Sequence, residues 1–311
     1  MRVVVTGSTG FLGRHLVTLL HAHGHSVTGL DRRPAAHEVG SFVGVELTAL
    51  CRDARRALRE ADAVVHLAGC PGVRDTTADV GRRRYRDNVG SLRSVLGAVP
   101  AGVPLVVASS SSVYGGSVGG RASAENDALA PRGGYARSKV LAEALCADAA
   151  RRGAEVTVVR PFTVVGEGQR PDMALHRWLG AALRGEPLTV LGSLDRTRDL
   201  TDVHCVVAAL AALASIAPGG AVNLGTGRPV TLREMVQAVG VVTGVEPSVR
   251  LVAADPDEVP DTRADVTRLV ALTGVQPVTD LVDVVARVRD DFTRHAGNRI
   301  DLTRRAQPVS P

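Results

Sequence analysis

The apolar positions change period along the chain. Val3-Val-Val5 is a continuous apolar run of strand length. Over 11–23 the apolar residues Leu12, Leu16, Leu19 and Leu20 share one helical face, and Gly24 suits the stop that follows. Residues 26–30, 63–67, 104–108 and 155–160 read as further strands, the last stopped at Pro161. Residues 89–99 and 135–152 read as helices, the second ended by Gly153. Strand and helix in alternation predict a doubly wound parallel sheet with helices on both faces.

The second half is less regular. Residues 172–184 and 204–216 read as helices, and Thr231 with Glu234 forms a capping box that opens another. Asp265 and Thr279 are the expected N-caps of the last two helices. These shorter elements predict a smaller, mixed α/β domain for substrate. The expected division is 1–162 with 197–224 in the sheet domain, and 163–196 with 225–295 in the smaller one. Residues 296–311 carry little apolar pattern and are expected to form a flexible tail.

Composition narrows the class. The chain has 311 residues, 45% apolar and 22% charged, which is ordinary for a globular enzyme of one or two domains. No apolar run reaches the ~18–20 residues of a membrane span. The first residues read as a buried strand rather than a signal peptide, so a cytoplasmic protein with no membrane partner is expected. Cys51, Cys70, Cys146 and Cys205 show neither a CxxC pair nor metal-ligand spacing, and are expected to be reduced thiols without metal. The net charge of +5 comes from scattered arginines with no nucleic-acid motif, which favours phosphorylated small ligands. Of 37 basic residues one is lysine, Lys139. A sequence that writes arginine elsewhere keeps lysine where a compact ammonium is needed.

Thr6-Gly7-Ser8-Thr9-Gly10-Phe11-Leu12-Gly13 is a GxxGxxG element between a strand and an amphipathic helix. Gly7 permits the turn, Gly10 lets backbone approach a pyrophosphate, and Gly13 lets the helix pack on the sheet. The helix N-terminus then favours the phosphates. Asp31, ending the next strand, suits the adenosine ribose hydroxyls and NAD. Arg32 and Arg33 follow and suit a 2′-phosphate, so NADP stays open. Glu46 and Leu47 are candidates to flank the adenine, and Leu67, Ala68 and Gly69 end a strand at the edge where a dinucleotide lies.

Tyr135-Ala-Arg-Ser-Lys139 places a phenol and an ammonium on one helical face. A phenol titrates near ~10 and is a poor base at neutral pH; a neighbouring ammonium stabilises the phenolate. The tyrosine then exchanges a proton with a hydroxyl while hydride moves to a nicotinamide. Ser109-Ser-Ser-Ser-Val-Tyr-Gly115 follows a strand and offers hydroxyls near that chemistry.

Together these residues resemble the extended short-chain dehydrogenase/reductase family over about residues 1–290. The resemblance implies a Rossmann-type cofactor domain and a homodimer. It implies catalytic roles for Ser110, Tyr135 and Lys139, and cofactor contacts from Ser109, Pro161 and Asn88, the last in Asn-Val-Gly-Ser91. Family 4,6-dehydratases carry Asp-Glu after the catalytic serine, and decarboxylases a Glu; here Ser111 and Ser112 stand there, as in the 4-epimerases. The run 163–174 is similar to that of UDP-uronate 4-epimerases, where residues matching Thr163 and Arg170 meet the sugar carboxylate. Arg74, in Gly-Val-Arg, also resembles the uronate group. Arg198, in Thr-Arg-Asp199, matches an arginine that holds the nucleotide diphosphate. Arg263, and Asn223 in Asn-Leu-Gly-Thr-Gly227, match the frame of the nucleotide pocket. The chain departs from the family in Pro131-Arg-Gly-Gly-Tyr135, where Pro-x-Ser-x-Tyr is usual, and in Glu46, where Asp is usual.

Three functions stay open at this level. The first is NAD-dependent epimerisation at C4 of a UDP-linked sugar, UDP-glucuronate or a UDP-hexose. The second is NADPH-dependent reduction of a 4-keto-6-deoxy sugar nucleotide, which Arg32 favours. The third is a non-catalytic NAD-binding regulator, against which the Ser/Tyr/Lys set speaks.

Overall fold

The structure is a computed structural model. It describes all residues except 35–38, 73–76, 118, 256 and 306–311, and for 295–305 the backbone. Arg74 therefore lies outside the described residues.

Seven strands form one sheet: β1 (Arg2–Thr6), β2 (Ser26–Asp31), β3 (Ser41–Gly44), β4 (Ala63–His66), β5 (Leu105–Ala108), β6 (Val156–Pro161) and β11 (Gly220–Leu224). Their order is β11-β6-β5-β4-β1-β2-β3, and every adjacent pair is parallel; β7 (Thr163–Val165) and β10 (Leu200–Asp202) lie outside this sheet. Successive strands spread outward from β1 in both directions, so the order reverses between β1 and β4. A doubly wound sheet opens a crevice at that switch point.

Alternation of side chains across the pleat sorts the core into two layers. Val3 and Val5 pack with Leu16 and Leu20 of α1 (Phe11–Ala22), Leu210 and Leu213 of α7 (Val203–Ile216), and Leu269 of α9 (Thr267–Thr273). Val4 and Val64 face the other way, onto Leu58 of α2 (Arg52–Glu60), Leu92 and Val95 of α4 (Ser91–Leu96), and Ala142 of α5 (Gly133–Arg151). Both faces are covered, and the Rossmann-type α/β architecture expected from the sequence is the one observed.

The helix expected over 89–99 is preceded by a π-helical turn, Tyr85–Gly90, which follows α3 (Val80–Arg84). Asp87, Asn88 and Val89 are all buried in that wider turn. Such turns concentrate at functional sites.

The chain divides into two compact units. The first comprises Met1–Val164, Asp199–Pro229 and Pro256–Val278; the second comprises Val165–Arg198, Val230–Asp255 and Thr279–Pro311. Residues 163–164, 225–229 and 257–278 thus fold with the sheet, not with the smaller unit as expected, and 197–198 fold with the smaller unit. Asp199 explains much of the difference. Its fully buried carboxylate accepts from Thr226 N (2.8 Å) and Oγ1 (2.7 Å), Gly227 N (2.9 Å) and Ala264 N (3.0 Å), tying 225–229 and 257–278 to the sheet unit.

Within the second unit, α6 (Ala174–Leu183), α8 (Leu232–Thr243) and α10 (Leu281–Arg305) pack together. β8 (Leu188–Leu191) pairs in parallel with β13 (Val249–Val252). β9 (Thr197–Arg198) pairs antiparallel with β12 (Val230–Thr231). The Thr231–Glu234 capping box is present on α8. The other two caps shift: Asp265 accepts from Thr267 N (2.9 Å) one residue before the N-cap position of α9, and Asp280, not Thr279, accepts from Asp283 N (3.0 Å). α10 continues to Arg305, so residues 296–305, expected as tail, are helical. No helix among the described residues is long and apolar enough to cross a membrane.

Candidate active site

The glycine turn sits at the switch point. Gly7 has φ +70°, and a Cβ there would lie 2.7 Å from Ala68 N and 2.9 Å from Leu67 C. The turn and the end of β4 touch backbone to backbone, which only glycine allows. A Cβ on Gly13 would lie 2.1 Å from Gly7 O. Gly10 is the N-cap of α1 and no side chain caps the helix, so Thr9, Gly10, Phe11 and Leu12 present an uncapped, electropositive end. Ser8 Oγ is buried in this turn with no partner among the described residues. The cradle fits a pyrophosphate.

Beside it, Asp31 accepts from Thr9 N (3.3 Å), Arg32 N (2.7 Å) and Arg33 N (3.3 Å). The Arg32 guanidinium turns to carboxylates: Asp87 at 3.3 Å and Glu46 at 3.7 Å. Arg86 holds Asp87 as well, at 2.6 and 3.1 Å. Burial pulls the Asp87 carboxyl up, but the Arg86 hydrogen bonds and the two guanidinium charges hold it below its ordinary value. Leu47 is buried in the core with Val4 and Leu30. Sequence reasoning missed Asp87; an acid directly before Asn88, at the end of an arginine-rich run, was the available signal.

Asn88 joins the segment after β4 to α5. Its Oδ1 accepts from Cys70 N (2.7 Å), and its Nδ2 donates to Cys70 O (3.2 Å) and Ser138 Oγ (2.8 Å). Ser138 Oγ in turn donates to the Tyr135 carbonyl (2.7 Å). A Cβ on Gly69 would lie 2.6 Å from Asn88 Oδ1 and 3.6 Å from Lys139 Nζ.

Tyr135 and Lys139 lie one turn apart on α5. Lys139 is 7% exposed, and its Nζ donates to Ala108 O at 2.8 Å, at the end of β5. Burial pushes its ammonium down to about 8. Two residues past that carbonyl, Ser110 caps the 3₁₀ turn Ser111–Tyr114, its Oγ accepting from Ser112 N (3.2 Å). Ser111 carries a hydroxyl of the same turn, and Ser112 Oγ is buried without a partner among the described residues. No carboxylate stands in the turn.

A buried polar chain braces this region. Ser109 Oγ donates to Glu143 Oε1 (2.5 Å); Glu143 pairs with Arg160 through Nε (3.0 Å) and Nη2 (2.7 Å). Arg160 Nη1 donates to the Tyr114 hydroxyl (2.8 Å), which donates to Asn223 Oδ1 (2.7 Å). Both ends of the serine turn, Ser109 and Tyr114, are thereby fixed. Burial alone would lower the Arg160 pKa, but Glu143 holds it above its ordinary value. Glu143, one turn beyond Lys139, and Arg160, a charge in an apolar strand, are signals visible in the sequence that point to this polar chain.

His66 ends β4, 3% exposed. Its Nδ1 lies 2.8 Å from Thr6 Oγ1, and burial, then the Lys139 charge, pushes it down to about 3, so the ring is neutral.

Pro161, expected at the cofactor, and the residues expected at the substrate are placed as follows. Pro161 is buried at the end of β6, opposite Leu224. Thr163 N donates to Asp199 O (3.0 Å). Arg263 Nε donates to Gly227 O (3.2 Å). In the second unit Arg170 is held as a fork by Asp172, at 2.9 and 3.1 Å, and Arg198 Nη1 donates to Thr197 O (2.8 Å).

A family model described as "NAD dependent epimerase/dehydratase family" matches residues 3–225. An uncharacterized UDP-glucose epimerase, YtcB, of Bacillus subtilis (strain 168) is 30% identical, covering 91% of this chain and 95% of the relative. Among solved structures, MoeE5 in complex with UDP-glucose and NAD is 38% identical, with a TM-score of 0.85 over 95% of this chain and 99% of that one. UDP-glucuronic acid 4-epimerase from Bacillus cereus, in complex with UDP-glucuronic acid and NAD, is 25% identical, with a TM-score of 0.86 over 95% and 100%. With its glycine turn, its reversal of strand order between β1 and β4, and this match over most of its length, the chain belongs to the NAD-dependent epimerase/dehydratase family of nucleotide-sugar enzymes.

Proposed function

We propose that the protein epimerises C4 of a UDP-linked sugar, UDP-glucuronate or a UDP-hexose, by way of a transient 4-keto sugar. The observation that carries this reading is the Lys139–Ala108 hydrogen bond at 2.8 Å, which locks the Tyr135 helix to the strand that delivers Ser110. When bound, NAD supplies a hydride acceptor that can give the hydride back. Tyr135, stabilised as phenolate by the Lys139 ammonium, takes the C4 hydroxyl proton as the C4 hydrogen leaves as hydride. Ser110 hydrogen-bonds the reacting oxygen. After the keto sugar turns over, Tyr135 returns the proton and the hydride adds to the opposite face. No net oxidant is consumed.

Ser111 and Ser112 offer hydroxyls where elimination or decarboxylation calls for carboxyl groups, which favours epimerisation over those outcomes. The relatives' UDP-glucose and UDP-glucuronic acid point to the same substrate class. Arg198 and Arg263 are assigned to the diphosphate side and Thr163 and Arg170 to the sugar. To serve a uronate, Arg170 must exchange Asp172 for the sugar carboxylate.

The test offers the purified protein UDP-glucuronate and UDP-glucose without added cofactor, after heat release has identified the resident dinucleotide. C4 inversion of either sugar is the expected result. Turnover only with added NADPH and a 4-keto sugar nucleotide would replace this reading with a 4-ketoreductase.

A further inference from the structure

We infer that Asp87, together with Glu46, sets the choice of dinucleotide by neutralising Arg32, so that the site refuses a 2′-phosphate. The inference rests on the reading of the glycine turn as an NAD cradle. An arginine directly after the tip of β2 ordinarily recruits a 2′-phosphate, because its fork matches phosphate oxygens. Here that fork is consumed. Asp87 takes Arg32 Nη2 at 3.3 Å and Glu46 lies 3.7 Å from Nη1.

Asp87 is well placed to hold its partner. Its side chain is 8% exposed and it is fixed on its other side by Arg86, so it does not swing away into water. The π turn that buries Asp87 also carries Asn88, so the charge lock and the loop anchor share one backbone segment. Asp31, Glu46 and Asp87 set three carboxylates against Arg32 and Arg86. A phosphate brought to Arg32 would have to displace carboxylates already paired with it, and would meet Asp31 beside it.

The test uses the full chain freed of dinucleotide. NAD and NADP binding are measured directly, by calorimetry or by quenching of the single tryptophan, for wild type, Asp87→Asn, Glu46→Gln and the double variant. Each is also made with Arg32→Ala. Wild type is expected to prefer NAD, with the preference unchanged by Arg32→Ala. The double variant is expected to gain about ten- to hundredfold in NADP affinity relative to NAD, the value of one freed charge-assisted pairing. That gain should vanish when Arg32→Ala is added. Glu46→Gln, at an exposed position, gives a smaller gain and keeps the test open should Asp87→Asn fail to fold. An unchanged NADP to NAD ratio in the folded variants, or a gain that survives loss of Arg32, overturns the inference. Failure of the wild type to bind either dinucleotide sinks the cofactor reading itself.

Discussion

Glu143 and Arg160 meet as a buried fork, Nε to Oε1 at 3.0 Å and Nη2 to Oε2 at 2.7 Å, behind the turn that carries Ser110. Glu143 stands on α5 one turn past Lys139, and Arg160 on β6. The pair fixes the phenol's helix to β6, and the bonds from Ser109 to Glu143 and from Arg160 to Tyr114 tie it to both ends of the serine's turn.

Breaking one side should cost far more than removing both. Glu143→Ala leaves a guanidinium buried without its counter-charge and is expected to destabilise by about 3–5 kcal/mol. A double replacement by Met is expected to recover a large part of that loss. Urea unfolding of the two variants reads the difference; equal destabilisation would show that the pair is not coupled.

Lys139 links activity to pH in an unusual way. Its native pKa of about 8 lies below the ordinary 10.5 because it is buried. The native state therefore binds this proton less tightly than the unfolded chain. This group's contribution to stability should rise from pH 8 to 10.5, by about 3 kcal/mol at most. Activity should fall over the same range as the ammonium that stabilises the phenolate is lost. Lys139→Met is expected to lower kcat by about 10²–10⁴ and to abolish the rise in stability. Parallel rate and unfolding profiles check both.

His66 works on the acid side. Its native pKa of about 3 lies below 6.5, again through burial, so the unfolded chain binds the proton first. Stability is complete above pH 6.5 and drains as pH falls towards 3, with about 3 kcal/mol gone by pH 4.5. His66→Gln should be less stable at pH 7, through loss of the Thr6 contact, yet change less between pH 7 and 4.5. Unfolding midpoints at the two pH values measure the difference.

Three glycines should respond differently to alanine. Gly13→Ala drives a Cβ to 2.1 Å from Gly7 O and is expected to abolish dinucleotide binding and lower stability by several kcal/mol. Gly24 has open space but φ +78°, and alanine should cost about 1 kcal/mol. Gly81, in α3 with nothing near among the described residues and no positive φ, should gain about 0.5–1 kcal/mol as alanine. Thermal unfolding and NAD titration of the three variants separate the cases.

The sheet unit was legible because its signals are local. An apolar run such as Val3–Val5, a stripe such as Leu12–Leu20 and a glycine turn each specify an element within one short window. The Tyr135–Lys139 face is equally local, since it needs only the helix period. Contacts made across the sequence were not legible. Asp199 reaches Ala264 across 65 residues, and Arg160 reaches Tyr114 across 46; no window contains either pair. Asp265 and Asp280 show the same limit at small scale, where one residue of offset decides which side chain reaches the first free amide.

The sheet unit is gathered from three stretches of chain, and this governs how it can be made. β6 ends at Pro161, but its outer neighbour β11 ends at Leu224, about 60 residues later. During synthesis at ~5–20 residues per second, that flank stays bare for roughly 3–12 seconds. A fragment stopped at residue 164 would keep it bare permanently, an open ladder of amides that invites a second chain to add itself.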